Sequence, residues 1–339
     1  GHGGNSMKAA GMQILEHTDD LAIMGFMEVI KHLPRMMKIM NKTIDTITRV
    51  KPDRIILIDY PGFNLRLAKR IQNLKIPITY FILPQVWAWK EKRIEIMKKT
   101  LDQALSIFPF EQTWFESRGL IANYMGHPFC EQEHLDENSK EFYQRHSLTI
   151  EHPLLVLLPG SRQQEIDRHL PVFLETVETL KSNIPDLQIM VGKAPNVVFP
   201  TLPNYFRIEL NARKAMVAGT AALVSSGTAT LECAVEDLPM LVCYKLSTTS
   251  WLLANTMVSV KYASMVNLIM DEKIVPEFLQ NEMTVNNLVQ GVMPLLDTKN
   301  ILRKKMLTGF NTVRKTLGLP GVYQRTAKSI LSKMDFSDD

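Results

Sequence analysis

The sequence has few cysteines and lacks several common binding motifs, and each absence excludes a class of site. Cysteine occurs only at positions 130, 233 and 243, without a C-x-x-C pair, so neither a disulfide framework nor a structural zinc site is expected. Neither a Walker loop nor a G-x-G-x-x-G fingerprint occurs. There is no D-x-D pair to hold a divalent metal on a nucleotide sugar, and the histidines form no cluster. We therefore expect no metal and no cofactor.

Long apolar runs and a strong net charge are also missing. No uncharged apolar run reaches the roughly 18 residues that a membrane span requires. The longest candidate, 215–231, is interrupted by Gly, Ser and Thr and predicts a helix end, a buried strand and a loop. The net charge of +4 is too small to indicate nucleic-acid binding by itself, but it is compatible with an anionic substrate or an acidic membrane surface.

The sequence does contain an alternation of short apolar runs with longer segments of helical spacing. Its 339 residues are enough for two domains. Seven runs are nearly continuously apolar, as strands buried on both faces are, and they cover 54–59, 78–83, 104–109, 154–159, 187–192, 222–227 and 240–245. This alternation predicts an α/β fold of doubly wound parallel sheets.

Two breaks in the pattern predict the domain limits. The stretch 131–153 is rich in charge and has no strand pattern, so we interpret it as a linker between a domain at 1–150 and a second at 151–318. The segment L-G-L-P-G at 317–321 interrupts the helical pattern, which resumes as one terminal helix. A break of this kind is typical of a segment, here 319–339, that crosses to another surface.

The strongest candidate site is L-L-V-L-L-P-G-S-R-Q-Q-E-I at 154–166. A buried strand ends in a tight turn at Gly160, Ser161 and Arg162, and a helix follows. Backbone N–H groups at such a turn and the positive end of the helix dipole bind phosphate, to which Arg162 would add a bidentate contact. The alternative is an ordinary strand–helix turn with a surface arginine.

A second stretch, S-S-G-T-A-T-L-E-C-A at 225–234, repeats this layout. Ser226, Gly227 and Thr228 join a strand to a helix, and Gly227 permits a ligand to approach the backbone closely. Glu232 follows one turn later, where its carboxylate could accept hydrogen bonds from two ribose hydroxyls. The alternative is an ordinary helix cap with a first-turn acidic residue. The two loops together favour a nucleotide diphosphate.

Asp59 is the candidate general base. It ends a buried strand and precedes a Pro-Gly turn in I-D-Y-P-G-F-N, so we expect its carboxylate at the carboxyl edge of the sheet, facing a cleft. The alternative, which the residues alone favour, is an aspartate that accepts hydrogen bonds from turn amides.

Aromatic and polar residues give weaker signals. Trp87 and Trp89 precede a basic run and are candidates for stacking on a sugar or an acyl chain, or alternatively for core packing. His127, in G-H-P, is a candidate for phosphate contact or proton transfer, with a structural role as the alternative. Asn267 lies in an apolar setting and needs a polar partner if it is buried.

The segment 21–42 combines apolar and basic residues at helical spacing. Met24, Phe26 and Met27 stand near several lysines and arginines, which predicts one or two short helices that lie in a membrane interface. The alternative is an amphipathic helix packed on the domain core.

Several of these motifs occur, in this order and spacing, in one family. The chain resembles the lipid-A-disaccharide synthases over essentially its whole length. The motifs that carry the resemblance are L-A-I-M-G-F-M-E-V-I (21–30), K-P-D-R-I-I-L-I-D-Y-P-G-F-N (51–64), P-Q-V-W-A-W-K-E-K-R-I (84–94), F-P-F-E (108–111), G-H-P (126–128), L-L-P-G-S-R-Q-Q-E-I (157–166), S-S-G-T-A-T-L-E-C-A (225–234) and V-N-L-I (266–269).

The resemblance implies a GT-B fold, in which two Rossmann-like domains face a cleft and a last helix returns to the first domain. It implies an inverting glycosyltransferase that joins UDP-2,3-diacylglucosamine to 2,3-diacylglucosamine 1-phosphate (lipid X) by a β(1→6) bond, with release of UDP and without a metal. It also implies a peripheral position on the cytoplasmic face of the bacterial inner membrane, in contact with its phospholipids. No nucleic acid is expected as a partner, and a homodimer is left open.

The resemblance also implies roles for single residues. Asp59 matches the aspartate of the family's I-D-x-P motif, the suspected base for the acceptor 6-hydroxyl, and Arg162 matches the arginine that stabilises charge on the UDP leaving group. The expected UDP-sugar site comprises Gly160, Ser161, Arg162, Ser226, Gly227, Thr228, Glu232 and Asn267. Acceptor or membrane contacts are expected from Trp87, Trp89, Met24, Phe26, Met27 and His127.

One family feature has no counterpart in the sequence. The family's first strand and its G-E-x-S-G-D loop are not matched, so the resemblance implies that the chain is part of a longer open reading frame. Two other functions stay open. A UDP-sugar epimerase of the same fold would turn over the donor without an acceptor, and a non-catalytic, membrane-associated protein would bind a UDP-sugar without transferring it.

Overall fold

The chain forms two sheets of parallel strands with helices between the strands, which confirms the predicted α/β class. Within the described part of the chain, no helix combines the length and the apolarity needed to cross a membrane. This computed structural model describes residues 1–18, 28–131, 139–195, 197–247, 251 and 260–334, and leaves out the side chains of 28–32 and 139.

The first half of the chain contains the smaller sheet. Its described strands are β1 (His2–Gly3), β2 (Glu16–His17), β3 (Ile55–Ile58), β4 (Ile78–Phe81), β5 (Gln103–Ser106) and β6 (Ala122–Tyr124). Its described helices are α1 (Asn5–Ala9), α2 (Glu28–Val50), α3 (Pro61–Ile71), α4 (Ile94–Thr100), α5 (Glu111–Glu116) and α6 (Ser139–Arg145), with 3₁₀ turns at Gln72–Leu74, Glu91–Arg93 and Pro128–Glu131. Strands β3 to β6 form one parallel sheet in that order, and β1 pairs with β2.

The second half contains the larger sheet. Its described strands are β7 (Leu154–Leu158), β8 (Gln188–Gly192), β9 (Phe206–Glu209), β10 (Ala221–Ser225), β11 (Met240–Tyr244) and β12 (Glu277–Leu279). Its described helices are α7 (Gln163–Asn183), α8 (Ala212–Ala218), α9 (Thr228–Val235), α10 (Met265–Met270), α11 (Val285–Leu296) and α12 (Ile301–Thr316), with a 3₁₀ turn at Gln280–Glu282. The last described helix is α13 (Val322–Leu331).

The strand order of the larger sheet fixes where a ligand can bind. The order is β12-β11-β10-β7-β8-β9, with all neighbours parallel. The chain therefore builds outward from β7 in one direction and outward from β10 in the other. In such sheets the crevice outside the carboxyl ends of the strands, at the point where the order reverses, is the usual ligand site. Here that point lies between β7 and β10.

The seven predicted strands are confirmed, but one of them is buried differently. Ile55 and Leu57 of β3 are buried, whereas Ile56 and Ile58 are 49% and 39% exposed. The prediction of burial on both faces was therefore wrong for β3. This strand is at the edge of the described sheet and has only one covered face, so its apolar run does not report two-sided burial.

The charged stretch 131–153, which we interpret as the linker between the domains, contains a helix. Part of it forms α6, and this helix buries Phe142 and Tyr143 in the large apolar cluster. The Tyr143 hydroxyl donates a hydrogen bond to the carbonyl of Ala218 at 2.9 Å. Two apolar side chains among many charges are enough to dock this short helix on the second half.

The last helix packs on the smaller sheet. Gln103 on β5 donates to the carbonyl of Ser329 at 2.9 Å, and Arg54 donates to the carbonyl of Lys333 at 2.7 Å. The guanidinium of Arg325 contacts the carbonyl of Met125, with Nη2 at 3.0 Å. These contacts hold α13 against the first half of the chain. The domain limits 1–150, 151–318 and 319–339 stay a prediction.

Leu317 lies where the chain crosses between the halves. Its carbonyl accepts hydrogen bonds from the hydroxyl of Tyr124 at 2.5 Å and from the backbone N–H of His127 at 3.1 Å. Gly318 and Gly321 follow with φ of 96° and 93°, a backbone conformation that other residues rarely adopt. The two glycines allow the sharp change of direction into α13.

Candidate functional site

Asp59 lies directly after β3, at the corner where the chain turns into α3. Asp59 and Tyr60 both have positive φ, 45° and 47°, which is uncommon for residues with a side chain. The N–H of Asp59 donates to the carbonyl of Phe81 at 3.0 Å. The carbonyl of Asp59 accepts from Asn64 Nδ2 at 2.7 Å and from the hydroxyl of Tyr80 at 2.5 Å. The neighbouring strand and α3 thus fix this strained corner.

The surroundings of Asp59 raise the pKa of its carboxyl above the ordinary aspartate value. Desolvation of the carboxyl is the main cause, although the residue as a whole is exposed, and the backbone N–H of Tyr60 offsets part of that rise. A raised pKa makes the carboxylate a better proton acceptor than an ordinary aspartate. Burial, followed by the charge of Asp59, raises the pKa of Tyr80, so its hydroxyl remains a hydrogen-bond donor. Asp59 therefore lies at the end of β3, as the sequence predicts, and its role as a base stays a prediction.

The turn after β7 holds a carboxylate of its own. Oε2 of Glu165 accepts from the backbone N–H groups of Ser161 at 3.0 Å and Arg162 at 3.3 Å. Gly160 has a φ of 134°, and a Cβ there would lie 2.5 Å from the Glu165 side chain. We expected these amides to bind a phosphate, and in this structure they are occupied by Glu165. The Arg162 side chain is 72% exposed, with Nη1 3.5 Å from Glu165 Oε1.

His169 on α7 ties this turn to the end of β11. It is fully buried. Nδ1 lies 2.7 Å from the carbonyl oxygen of Pro159, and Nε2 accepts the backbone N–H of Lys245 at 3.0 Å. A carbonyl on one side and an N–H on the other require the neutral ring with its proton on Nδ1. Burial lowers the pKa of His169, which favours the same neutral form.

The turn after β10 is the more open of the two. Gly227 has a φ of 146°, and a Cβ there would meet no atom within 4 Å. Gly227 is the N-cap of α9, and no side chain of the described residues caps this helix. The first amides of a helix have no partner within the helix, so they are available to an anion. Thr228 is exposed beside them. Of the two predicted phosphate loops, this one has helix amides that no side chain of the described residues caps.

The hydroxyls just before Gly227 are held differently. Ser226 Oγ donates to the carbonyl of Ala263 at 2.7 Å, which fixes the turn. Ser225 Oγ is buried and has no hydrogen-bond partner among the described residues. An unpaired buried hydroxyl is costly unless a ligand or water satisfies it. Its position at the end of β10 places it beside the switch point.

Two residues that the sequence assigned to the UDP-sugar differ in their availability. Glu232 is half-buried on α9, and burial raises its pKa while the charge of Arg213 opposes the rise. Asn267 is fully buried. Its Nδ2 donates to Glu277 Oε1 at 2.8 Å and to the carbonyl of Val275 at 2.9 Å, and its Oδ1 accepts two backbone N–H groups. Direct ligand contact by Asn267 therefore does not fit this structure, because the protein already uses its amide.

The aromatic residues of the first half form a packed group. Trp87 is buried, and its Nε1 donates to Oε1 of Glu111 at 2.9 Å. Trp87 also packs edge-on against Phe110, with ring centroids 4.9 Å apart. His127 is buried, and its Nδ1 accepts the N–H of Phe129 at 3.1 Å. Trp87 and His127 therefore have structural partners, and direct acceptor contact does not fit their burial.

Trp89 remains available at the surface. Its side chain is 45% exposed. Met24, Phe26 and Met27, the three predicted membrane contacts, lie outside the described residues. We expected one or two short helices over 21–42, and the described part of that segment, 28–42, belongs to the single helix α2. Its side chains at Leu33 and Met37 are 45% and 47% exposed.

Sequence reasoning missed two buried polar residues of this region. Glu111 is fully buried at the start of α5, and burial raises its pKa to about 7. The signal was present in F-P-F-E, because an acid among aromatic residues must find donors when it is buried. His169 gave no comparable signal, since it is one polar residue in an amphipathic helix.

Comparisons with known proteins identify similar chains. The family model described as Lipid-A-disaccharide synthetase matches residues 1–326. The chain is 34% identical to a lipid-A-disaccharide synthase of Myxococcus xanthus, over 98% of this chain and 88% of that protein. It is also 34% identical to the synthase of Solibacter usitatus, over 96% and 87% of the two chains.

Solved structures show the fold. A UDP-GlcNAc 2-epimerase from Neisseria meningitidis bound to UDP-GlcNAc superposes with a TM-score of 0.61 at 10% identity, covering 96% of this chain and 87% of that one. A glycosyltransferase from Rickettsia africae superposes with a TM-score of 0.54 at 11% identity, covering 88% and 81%. Neighbours of both kinds share the GT-B arrangement, and this confirms the predicted fold.

Proposed function

Because the chain belongs to the family of lipid-A-disaccharide synthases, and is on that ground a glycosyltransferase of lipid A biosynthesis, we propose that it joins UDP-2,3-diacylglucosamine to 2,3-diacylglucosamine 1-phosphate. The products are the β(1→6)-linked disaccharide 1-phosphate and UDP. The observation that carries the proposal is the open helix N-terminus at Gly227, at the switch point of the larger sheet. It supports binding of the UDP diphosphate.

The reaction is a direct displacement. Asp59 accepts the proton of the acceptor 6-hydroxyl as that oxygen forms a bond to the anomeric carbon of the donor. The bond from that carbon to the UDP oxygen breaks, and its electron pair leaves with UDP. Developing negative charge on UDP is met by the amides at Gly227 and Thr228 and by Arg162. Glu232 accepts hydrogen bonds from the ribose hydroxyls.

Exposure and hydrogen bonding support some of the expected substrate contacts more than others. Trp89 is kept as an acceptor contact because it is exposed. Asn267 shapes the segment around Ser264 instead of binding UDP, since Glu277 accepts from both its amide and the backbone of Ser264. Contact with inner-membrane phospholipids on the cytoplasmic face, and a homodimer, stay predictions.

The test measures transfer with both substrates present. The purified chain is expected to form the disaccharide 1-phosphate and UDP, detected by mass spectrometry. Asp59→Asn is expected to lower turnover about 100-fold or more, as loss of a general base does, with UDP affinity unchanged. Asp53→Asn, an exposed aspartate before β3, is the matched control. Near-normal turnover of Asp59→Asn would exclude the base role.

The fold likeness to UDP-GlcNAc 2-epimerases makes epimerisation the second candidate. An epimerase changes the donor sugar in the absence of an acceptor. Incubation with donor alone therefore separates the two activities, because a transferase leaves the donor intact. UDP binding without either reaction would favour a binding protein.

A further inference from the structure

Three positive side chains group around Trp89 and α3, the helix that follows Asp59. Trp89, just before the 3₁₀ turn at Glu91–Arg93, carries two of them on its ring. Nζ of Lys90 is 4.2 Å from the ring centroid, and Cζ of Arg93 is 5.4 Å from it. Arg66 on α3 is the third, and its charge acts on both of the others. The ring of Trp89 therefore holds two cations next to a third.

These cations repel each other. Burial, and then the neighbouring cations, lower the pKa of Lys90 and of Arg93. Among the described residues, no carboxylate forms an ion pair with any of the three. The nearest acid in sequence, Glu91, pairs with Arg118 at 2.6 Å instead. Like charges held together in this way favour the binding of an anion.

Tyr80 links this cluster to the corner that holds the candidate base. The charge of Arg93 acts on Tyr80, whose hydroxyl is 2.5 Å from the carbonyl oxygen of Asp59. In the proposed acceptor, the 6-hydroxyl and the 1-phosphate stand on either side of the ring oxygen. An acceptor with its 6-hydroxyl at Asp59 therefore carries its phosphate within one sugar's breadth of that residue. Arg66, on the helix that begins just after Asp59, and Arg93, whose charge acts on Tyr80, connect the cluster to this corner.

We propose that Arg66, Lys90 and Arg93, arranged around Trp89, bind the phosphomonoester of the acceptor sugar. The inference rests on the proposed function for the identity of the acceptor, and extends it by assigning a site to the acceptor phosphate. An arginine pairs with two phosphate oxygens through its planar fork, while a lysine adds a point charge. The exposed part of the Trp89 ring offers an apolar surface on which a sugar ring can stack. The phosphate fixes which hydroxyl of the acceptor faces Asp59.

A phospholipid headgroup offers the same phosphate chemistry, so the experiment must separate the two sources. Transfer is measured with two acceptors in the same detergent, 2,3-diacylglucosamine 1-phosphate and 2,3-diacylglucosamine without the phosphate. The protein is expected to prefer the phosphorylated acceptor. Arg93→Gln and Lys90→Gln are each expected to reduce that preference about 10-fold or more, mainly through the KM of the phosphorylated acceptor. A surface that binds membrane phosphate affects both acceptors alike.

Lys92→Gln is the matched control. Lys92 is an exposed cation between Lys90 and Arg93 in sequence, with no contact to Trp89 among the described cation–π pairs. It is expected to keep the full preference. A preference that survives Arg93→Gln and Lys90→Gln would overturn the inference, and so would equal losses on both acceptors. Loss of binding to anionic vesicles with the preference intact would assign the cluster to a headgroup.

A binding measurement tests the cluster without turnover. Glucosamine 1-phosphate, followed by NMR titration, is expected to bind the protein more tightly than glucosamine, and Arg93→Gln to remove the difference. An absence of any difference in the unchanged protein would overturn the inference. If the difference is present but no disaccharide forms, the proposed reaction fails while the phosphate site stands.

Discussion

Nδ1 of His169 lies 2.7 Å from the carbonyl oxygen of Pro159, and this contact joins α7 to the turn from which the helix starts. The other ring nitrogen accepts the N–H of Lys245, just beyond β11. One neutral imidazole thus braces two segments at the carboxyl edge of the larger sheet. The brace holds the turn that carries Arg162.

Loss of this brace is expected to weaken UDP binding. His169→Phe removes both hydrogen bonds but keeps a ring of similar size, and we expect about 10-fold weaker binding of UDP by calorimetry. His169→Gln, with one donor and one acceptor, is expected to recover most of the affinity. Thr176→Val, which removes a buried hydroxyl from the same helix far from the turn, is the control. Equal affinities for the three variants would contradict the brace.

The brace also predicts a dependence on pH. Protonation would place a second N–H against the N–H of Lys245, so affinity for UDP is expected to fall as pH falls below the ordinary histidine range. Burial and the charge of Arg168 lower the pKa of His169, and the charge of Glu165 raises it. The ring of Tyr244 also packs on the imidazole, with ring centroids 5.5 Å apart. The unchanged protein and His169→Gln are compared from about pH 5 to pH 8. The acid loss should be absent from the glutamine variant.

Glu165 is expected to oppose the binding of UDP. Its carboxylate occupies the N–H groups of Ser161 and Arg162 and lies near the guanidinium of Arg162. Glu165→Gln removes the charge, keeps an oxygen acceptor, and leaves Arg162 without its anionic neighbour. We expect UDP to bind a few-fold more tightly, with the largest gain at low salt. Weaker binding would mean that the carboxylate orients Arg162 productively.

Glu111 is expected to make stability depend on pH. Its pKa is raised by burial from 4.5 to about 7, so the folded protein holds a proton that the unfolded chain releases. The stabilisation is present below about pH 4.5 and is lost as pH rises through about 7. Glu111→Gln should flatten this slope in urea unfolding. Glu116→Gln, exposed on the same helix, should keep it.

If Asp59 is the general base, the turnover rate is expected to rise with pH. The carboxylate form of Asp59 is the base, and desolvation raises the pKa of this carboxyl. Turnover with saturating substrates should therefore fall on acidification at a pH above the ordinary range of aspartate. A rate profile without this acid limb would argue against Asp59 as the base.

The fold was largely readable from the sequence because buried parallel strands have continuous apolar runs. The central strands β4, β5, β7, β8, β10 and β11 all followed such runs. The edge strands β9 and β12 were not predicted, because they are short and only partly buried. The exposed Ile208 of β9 is an example. Helix α6 was not predicted, because its two buried aromatic residues stand among many charged residues in the sequence.

The candidate site could be predicted only in part, because some of its contacts join residues that are distant in sequence. The positions of Asp59 and Gly227 followed from strand ends and turn residues. The hydrogen bonds from the turn amides to Glu165 could not be predicted from the sequence. The usual S/T-x-x-E capping box has a hydroxyl residue at the N-cap, and here that residue is an arginine. The cluster of Arg66, Lys90 and Arg93 also joins two separate elements, and only the tertiary fold brings them together.

The crossing at Leu317 has a consequence for measuring motion in this protein. His2, near the start of the chain, packs on Phe63, and α13, near its end, packs on β5, so both ends of the described chain belong to the smaller sheet. Fluorescent labels on the two ends would keep a constant separation under any movement of one half relative to the other. A label pair able to report such a movement needs one dye near α13 and the other on the outer face of β9.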